Sequence, residues 1–306
     1  MRSSTASSSP PAREPKNVLA LFGPTASGKT AVAGILRERL GAEVISADSA
    51  AIYAGIPVIT AAPAYPASLV GVAALTESIS VGEYQRLAHA AIDAAGAPLV
   101  VGGTGLYLRA ALSSLEFPPP GRREHWQAEV DRLGPEAAHA LLGELDPRAA
   151  ARVHPNDRKR VIRALELNEG GHSLAPGADR LWTEDTRHPT TIVVLDLPLA
   201  ELDARIDQRT RAMAAAGAAD EARRAWAGPL SETARKVLGL EQFATLPEAE
   251  AIEAVAQATR QLARYQRKWL RRMPNVVTLE ANRSAEEVAD AIVALGRAGE
   301  HLSRRH

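Results

Sequence analysis

Gly23, Pro24, Thr25, Ala26, Ser27, Gly28, Lys29 and Thr30 spell a G-x-x-x-x-G-K-[ST] octapeptide between the apolar run VLALF and a segment of helical composition. In that setting glycines let backbone N–H groups converge on phosphate oxygens, and the helix start adds the positive end of its dipole. Lys29 supplies a point charge and Thr30 can ligate Mg²⁺. Phosphate binding is the chemistry. The loop alone leaves open whose phosphate it is, because an ATPase, a small-molecule kinase and an enzyme with a diphosphate leaving group can all use one.

Other residues narrow the choice. Asp48 ends the second apolar run, AEVISAD, and ligands of open parallel sheets bind at that strand edge. It is a candidate general base or Mg²⁺ organiser, with a turn or helix-capping aspartate as the plainer alternative. Gly102-Gly103-Thr104-Gly105 follows a third run, PLVV, on the same edge. Arg152, Arg158, Lys159, Arg160 and Arg163 crowd one segment in which Asp157 is the acid. On a helix, Arg260, Arg264, Arg267 and Arg271 recur at spacings of four, three and four, on one narrow stripe, with Leu262, Tyr265 and Trp269 opposite. No acid interrupts that stripe, which reads as an uncompensated row of guanidinium groups suited to phosphates. Arg205 and Arg209, four apart on another helix, form a further pair.

The elements that position these groups alternate in type. VLALF, a helix from Lys29 to Leu40 and AEVISAD make a βαβ unit. GEYQRLAHAAIDAAG continues as a helix stopped by Gly96, and APLVVGGTGLYLRAAL as strand, glycine turn and helix. The pattern is an α/β, P-loop NTPase-like three-layer core around a parallel sheet. At EFPPPGRR the prolines break it, and the next segment holds several short helices without a strand signal. A strand returns at about Thr191 to Leu197, and NVVTLEA reads as the last one. The expected organisation is a disordered tail over 1–16, core over 17–116, an all-helical insert over 117–188, and core over 189–306 ending in the arginine-stripe helix.

Lys plus Arg and Asp plus Glu both total 36 in 306 residues, so a nucleic-acid partner must be met by local basic patches. The absence of cysteine excludes disulfides, thiolate nucleophiles and Cys-ligated zinc, and the eight histidines show no paired ligand spacing. No apolar run approaches the roughly 20 residues of a membrane span, and MRSSTASSSPPAREPK has no apolar signal core. A soluble cytoplasmic protein is the expectation.

Taken in order, GPTASGKT, VISADSAAIYAG, VVGGTGLYLRAAL, DPRAAARVHPNDRKRVIRALEL, LDARIDQRTRAM and ATRQLARYQRKWLRR resemble the tRNA dimethylallyltransferase family, from about Leu19 to Arg272. The resemblance implies that the cradled group is the diphosphate of dimethylallyl diphosphate with Mg²⁺, and that N6 of adenosine 37, beside the tRNA anticodon, attacks the allyl carbon. It implies that Asp48 is the general base and that Lys29, Thr30 and Arg209 stabilise the departing diphosphate. It places Asp48, Ser49, Ala50, Ala51, Thr104, Arg123, Lys159, Arg160, Val161, Ile162, Arg163, Thr259, Arg260, Gln261, Arg264 and Gln266 against the anticodon stem-loop, with a monomer expected. The sequence departs from the family where PVITAAP, from Pro57, lacks the usual lysine, and where AKRQ reads Ala263-Arg264-Tyr265-Gln266. A P-loop kinase using ATP and an adenylate isopentenyltransferase are the competing readings. The matched arginine helix speaks against the first, and that helix together with the helical insert against the second.

Overall fold

The computed structural model describes residues 16–115, 117–118, 121–175 and 185–303, and the chain divides into two compact units. The first comprises 1–114 and 184–306, the second 115–183.

In the first unit five strands form one parallel sheet: β1 (Val18–Phe22), β2 (Glu43–Ser46), β3 (Pro98–Gly102), β4 (Thr190–Asp196) and β5 (Val276–Glu280), in the order β2-β3-β1-β4-β5. The near-continuous apolar runs of β1, β3 and β4 are what a sheet covered on both faces demands. Leu21, Leu99, Val193 and Leu195 are fully buried there. Parallel strands need crossovers, and helices supply them. These are α1 (Lys29–Leu40), α2 (Pro57–Thr60), α3 (Val81–Ala94), α4 (Gly105–Leu112), α9 (Leu199–Ala215), α10 (Ala218–Trp226), α11 (Leu240–Thr245), α12 (Glu248–Leu270) and α13 (Ala285–Ser303). Every connection leaves its strand at the same edge, so the segments after β1, β2 and β3 meet at the carboxyl ends.

The second unit contains α5 (Arg123–Leu133), α6 (Pro135–Leu145), α7 (Pro147–Ala150) and α8 (Arg158–Glu169). Val130, Ala138, Leu142, Val161, Ile162 and Leu165 form its own core. Asp146 caps α7 by accepting from the Ala149 amide at 3.0 Å, and Asp157 caps α8 by accepting from the Arg160 amide at 3.2 Å.

Two boundaries differ from the sequence reading. The 185–188 stretch, expected in the insert, is fastened to the first unit: Arg187 donates its amide to the Leu112 carbonyl at 2.8 Å, and its guanidinium pairs with Asp93 at 3.2 Å. Lys16, expected in the tail, donates its ammonium to the Asp93 and Ala95 carbonyls at 2.7 and 2.5 Å, a cation at the C-terminus of α3. The remainder of the expected tail, 1–15, lies outside the described residues.

Candidate active site

The loop after β1 departs from helix and strand in a way that turns its amides inward. Ala26 and Gly28 both take left-handed backbone angles, φ 68° and 89°, and an alternation of this kind makes an anion-binding concavity. Ala26 carries steric strain in that conformation, as non-glycine residues at functional loops do. The Ser27 hydroxyl is buried in the loop with no hydrogen-bond partner among the described residues, an orphan that a ligand oxygen would satisfy. Lys29 folds back to donate its ammonium to the Pro24 carbonyl at 2.7 Å.

Although Lys29 is partly exposed as a residue, protein atoms crowd its ammonium and lower its pKa to about 7. Desolvation is the main cause; the Asp48 carboxylate opposes it and the Arg209 guanidinium reinforces it. Arg209, on α9, is itself pushed down by burial and supported by Asp48. Two cations and one carboxylate therefore share one neighbourhood. The sign for stability follows: between about 7 and 10.5 the unfolded chain binds more protons at Lys29 than the native one, so stability of the free protein rises with pH across that window, and the destabilising contribution of the crowded lysine is fully present once pH falls below about 7. An anion bound beside Lys29 reverses the preference and recharges it. Diphosphate binding at pH 8 is thus expected to take up close to one proton, and affinity to fall as pH climbs above 7. Titration calorimetry in buffers of different ionisation enthalpy checks this; buffer-independent heats at pH 8 would reject it.

Asp48 sits two residues beyond β2, in a turn. Its Oδ1 accepts from the Ala50 amide at 2.9 Å and the Ala51 amide at 3.4 Å, while Oδ2 has no hydrogen-bond partner among the described residues. The turn aspartate and the candidate base are therefore the same group, one oxygen fixing the other.

The glycine turn after β3 exists for close approach. A Cβ on Gly103 would lie 2.7 Å from Gln266 Nε2, and one on Gly105 would lie 2.3 Å from the Trp269 ring, so helix α12 is laid directly on this turn. Thr104 Oγ1 lies 3.4 Å from Ser49 Oγ.

These loops line a pocket of about 580 Å³ that includes Asp48, Thr104, Arg209, Thr259, Tyr265 and Gln266. The volume suits an organic ligand of moderate size. The floor at α2 is held remotely: buried Glu221, from α10, accepts from the Val58 and Ile59 amides at 3.0 and 2.7 Å, and Ile59 and Thr60 face the pocket. Nothing local in the sequence marked Glu221, nor the Thr233, Lys236 and Leu238 stretch that forms another wall.

The arginine stripe is not uncompensated. Arg260 pairs with Asp207, Arg264 with Asp203 at 2.9 Å, and Arg267 with Asp196 at 2.9 Å. Asp203 and Asp207, four apart on α9, match the spacing of the first two arginines, and Glu253 on α12 itself adds a second partner to Arg260 at 3.3 Å. The opposite face, read as packing, instead carries Leu262, Tyr265 and Trp269 along the pocket, with Tyr265 57% exposed. Arg205 pairs with Glu201 at 2.6 Å and donates to the Ala281 carbonyl at 3.0 Å.

Other members of the expected RNA-facing set are scattered. Ala51 is buried and Gln261 is exposed. In the second unit, Arg123 and Lys159 are exposed, Arg160 pairs with Asp157 at 3.5 Å and Arg163 with Glu166 at 3.0 Å. Val161 and Ile162 are each 1% exposed, so their side chains build that unit's core and are unavailable to a ligand.

A parallel sheet with a phosphate loop after its central strand and charged groups at the carboxyl edge defines a P-loop α/β protein. The IPP transferase family model matches residues 51–273. The chain is 41% identical over 297 residues to a tRNA dimethylallyltransferase of Acidothermus cellulolyticus, covering 90% of this chain and 92% of that protein. It is 42% identical over 289 residues to one of Kineococcus radiotolerans, covering 86% and 90%. Among solved structures it resembles a full-length tRNA isopentenylpyrophosphate transferase of Bacillus halodurans, with TM-score 0.66, 28% identity and coverage of 94% and 99%. A eukaryotic dimethylallyltransferase acting on tRNA gives TM-score 0.76 at 22% identity, with coverage of 94% and 80%, a likeness of fold. The chain belongs to the IPP transferase family.

Proposed function

We infer that this protein transfers a dimethylallyl group from dimethylallyl diphosphate to N6 of adenosine 37 in tRNAs that read codons beginning with U. The observation that carries the reading is a pocket lined by Thr25 of the phosphate loop, the Arg209 cation and the Asp48 carboxylate with its free oxygen, with Lys29 electrostatically coupled to both charged groups. In the reaction N6 attacks C1 of the allyl group, the C1–O bond breaks, and its electron pair leaves with the diphosphate. The N6 proton passes to Asp48 Oδ2. Lys29 and Arg209 stabilise the charge gathering on the leaving oxygens. No protein nucleophile is required.

The oxygen donors present fit Mg²⁺. Thr30, at the start of α1, is exposed, and its hydroxyl has no hydrogen-bond partner among the described residues; the orphaned Ser27 hydroxyl lies three positions before it. No cluster of three or more His, Cys, Asp or Glu side chains that could hold a metal is found among the described residues. A sparse protein set of this kind suits an ion that keeps its waters and is shared with substrate phosphates. Thr30 would hold the ion, which when bound supplies further neutralisation of the diphosphate.

The anticodon stem-loop is the proposed RNA element, since a loop base is the least costly to unstack. Among the described residues no helix is long and apolar enough to cross a membrane. Incubation with labelled dimethylallyl diphosphate and unmodified tRNA bearing A36-A37-A38 tests the reading. Label in the RNA supports it; ATP hydrolysis without prenyl transfer rejects it. The ion pairs also redirect the expected salt behaviour. Lys159→Ala is expected to lower the slope of log affinity against log salt by about one charge, because this lysine is exposed and pairs with no acid among the described residues. Arg260→Ala, whose guanidinium is already neutralised by Asp207, should leave the slope unchanged. Filter binding at several salt concentrations separates the two; equal slopes for both variants would contradict the assignment.

A further inference from the structure

The family resemblance sets Gln266 against RNA, yet its side chain is 5% exposed and is committed elsewhere. Its Oε1 accepts from the Thr25 amide at 2.8 Å, across 241 residues of sequence. Thr25 N–H can only donate, so the carboxamide orientation is fixed: oxygen toward the phosphate loop, nitrogen toward Gly103. Nε2 would lie 2.7 Å from a Cβ on Gly103, and that same Cβ would lie 3.1 Å from the Gly23 carbonyl, so carboxamide, glycine turn and loop are in mutual contact. One helical turn away, Trp269 covers Gly105.

We propose that Gln266 is a positioning residue for the phosphate loop: through the Thr25 amide it sets where the loop's first half stands relative to the glycine turn, and thereby tunes diphosphate binding rather than RNA binding. The geometry favours this role over a structural brace elsewhere, because the bond ends on the loop that bears Ser27 and Lys29 and on no other part of the sheet. An RNA contact through Oε1 would strip Thr25 N–H of its acceptor, so this atom belongs to the loop even though Gln266 borders the pocket. The loop's fixed point is thus carried by α12, the helix whose Thr259, Leu262 and Tyr265 line the pocket. The proposal rests on the reading of this loop as a diphosphate site.

The test uses the full chain with two variants. Gln266→Leu keeps approximate shape but removes the acceptor; Gln266→Glu keeps an acceptor for Thr25. Amide hydrogen exchange resolved at Thr25 is expected to accelerate at least tenfold in Gln266→Leu and to stay near wild type in Gln266→Glu. Affinity for inorganic diphosphate with Mg²⁺ should fall about tenfold in Gln266→Leu, the loss of one hydrogen bond, while tRNA affinity stays within twofold. The glutamate variant is read by exchange alone, because its charge would itself repel diphosphate. Unchanged Thr25 exchange in Gln266→Leu overturns the proposal, as does a loss of tRNA affinity with diphosphate binding intact. Should the wild-type protein bind no diphosphate, the reading of the loop fails, and the exchange arm still reports whether Gln266 holds Thr25.

Discussion

Asp48→Asn is expected to lower prenyl transfer to tRNA by about 10²–10⁴-fold, the usual range for a lost general base, while diphosphate binding remains close to wild type. Asparagine is the informative substitution because its carbonyl oxygen can replace Oδ1, which accepts from the Ala50 and Ala51 amides. The turn therefore stays built. What changes is the second atom, which becomes an N–H donor where a proton acceptor is needed. Asp48→Ala removes both functions and should be at least as inactive and also less stable, since two backbone amides lose their partner. Single-turnover rates with saturating tRNA, together with thermal melts of both variants, make the comparison. A loss below tenfold in Asp48→Asn would show that the carboxylate serves the turn and not the reaction.

Removal of either cation should be nearly as damaging. Lys29→Ala and Arg209→Ala are each expected to reduce kcat by about 10²–10³-fold, as for other single groups aimed at developing charge, with a smaller penalty on tRNA affinity. Because both act on one leaving group, the double variant should lose less than the product of the two. Their coupling gives a second signature. Arg209 depresses the Lys29 pKa, so Arg209→Ala moves it up from about 7 toward its ordinary value, and proton uptake on diphosphate binding should begin only at higher pH. An unchanged onset of proton uptake in Arg209→Ala would mean that the two cations are electrically independent. Full multiplicative loss in the double variant would mean that they serve different steps.

Much of the fold was legible because its signals are local. The apolar runs of β1, β3 and β4, the glycine-lysine octapeptide and the helix from Lys29 to Leu40 each lie within a dozen residues, and the structure places them as read. The positions of Asp48 and Thr104 beyond their strands follow from the same patterns. What the sequence withheld was pairing between distant elements. Nothing in ATRQLARYQRKWLRR states that Asp203 and Asp207 lie across from Arg260 and Arg264, and so a compensated interface looked like a bare cationic stripe. Residues of the helix that seemed mere packing, Leu262, Tyr265 and Trp269, border the pocket. Val161 and Ile162 were drawn into an RNA-facing segment by their neighbours, although their apolar character already fitted the core where they lie. Glu221 serves the site through two hydrogen bonds spanning 163 and 162 residues, and Gln266 through one spanning 241, separations that no window of sequence contains.

The order β2-β3-β1-β4-β5 also has a consequence for how the chain acquires its shape. β1 precedes the other four strands of this sheet in sequence, yet its two neighbours, β3 and β4, begin at Pro98 and Thr190. During synthesis one hydrogen-bonding edge must wait for β3 and the other for β4, and long loops must close before each is covered. The second unit has its own core and lies wholly between β3 and β4 in sequence, so its early collapse would shorten the second of those loops before β4 arrives. Compaction of this unit would leave a shorter effective loop to close when β4 pairs with β1, a saving in closure entropy that the position of the insertion in the strand order makes available.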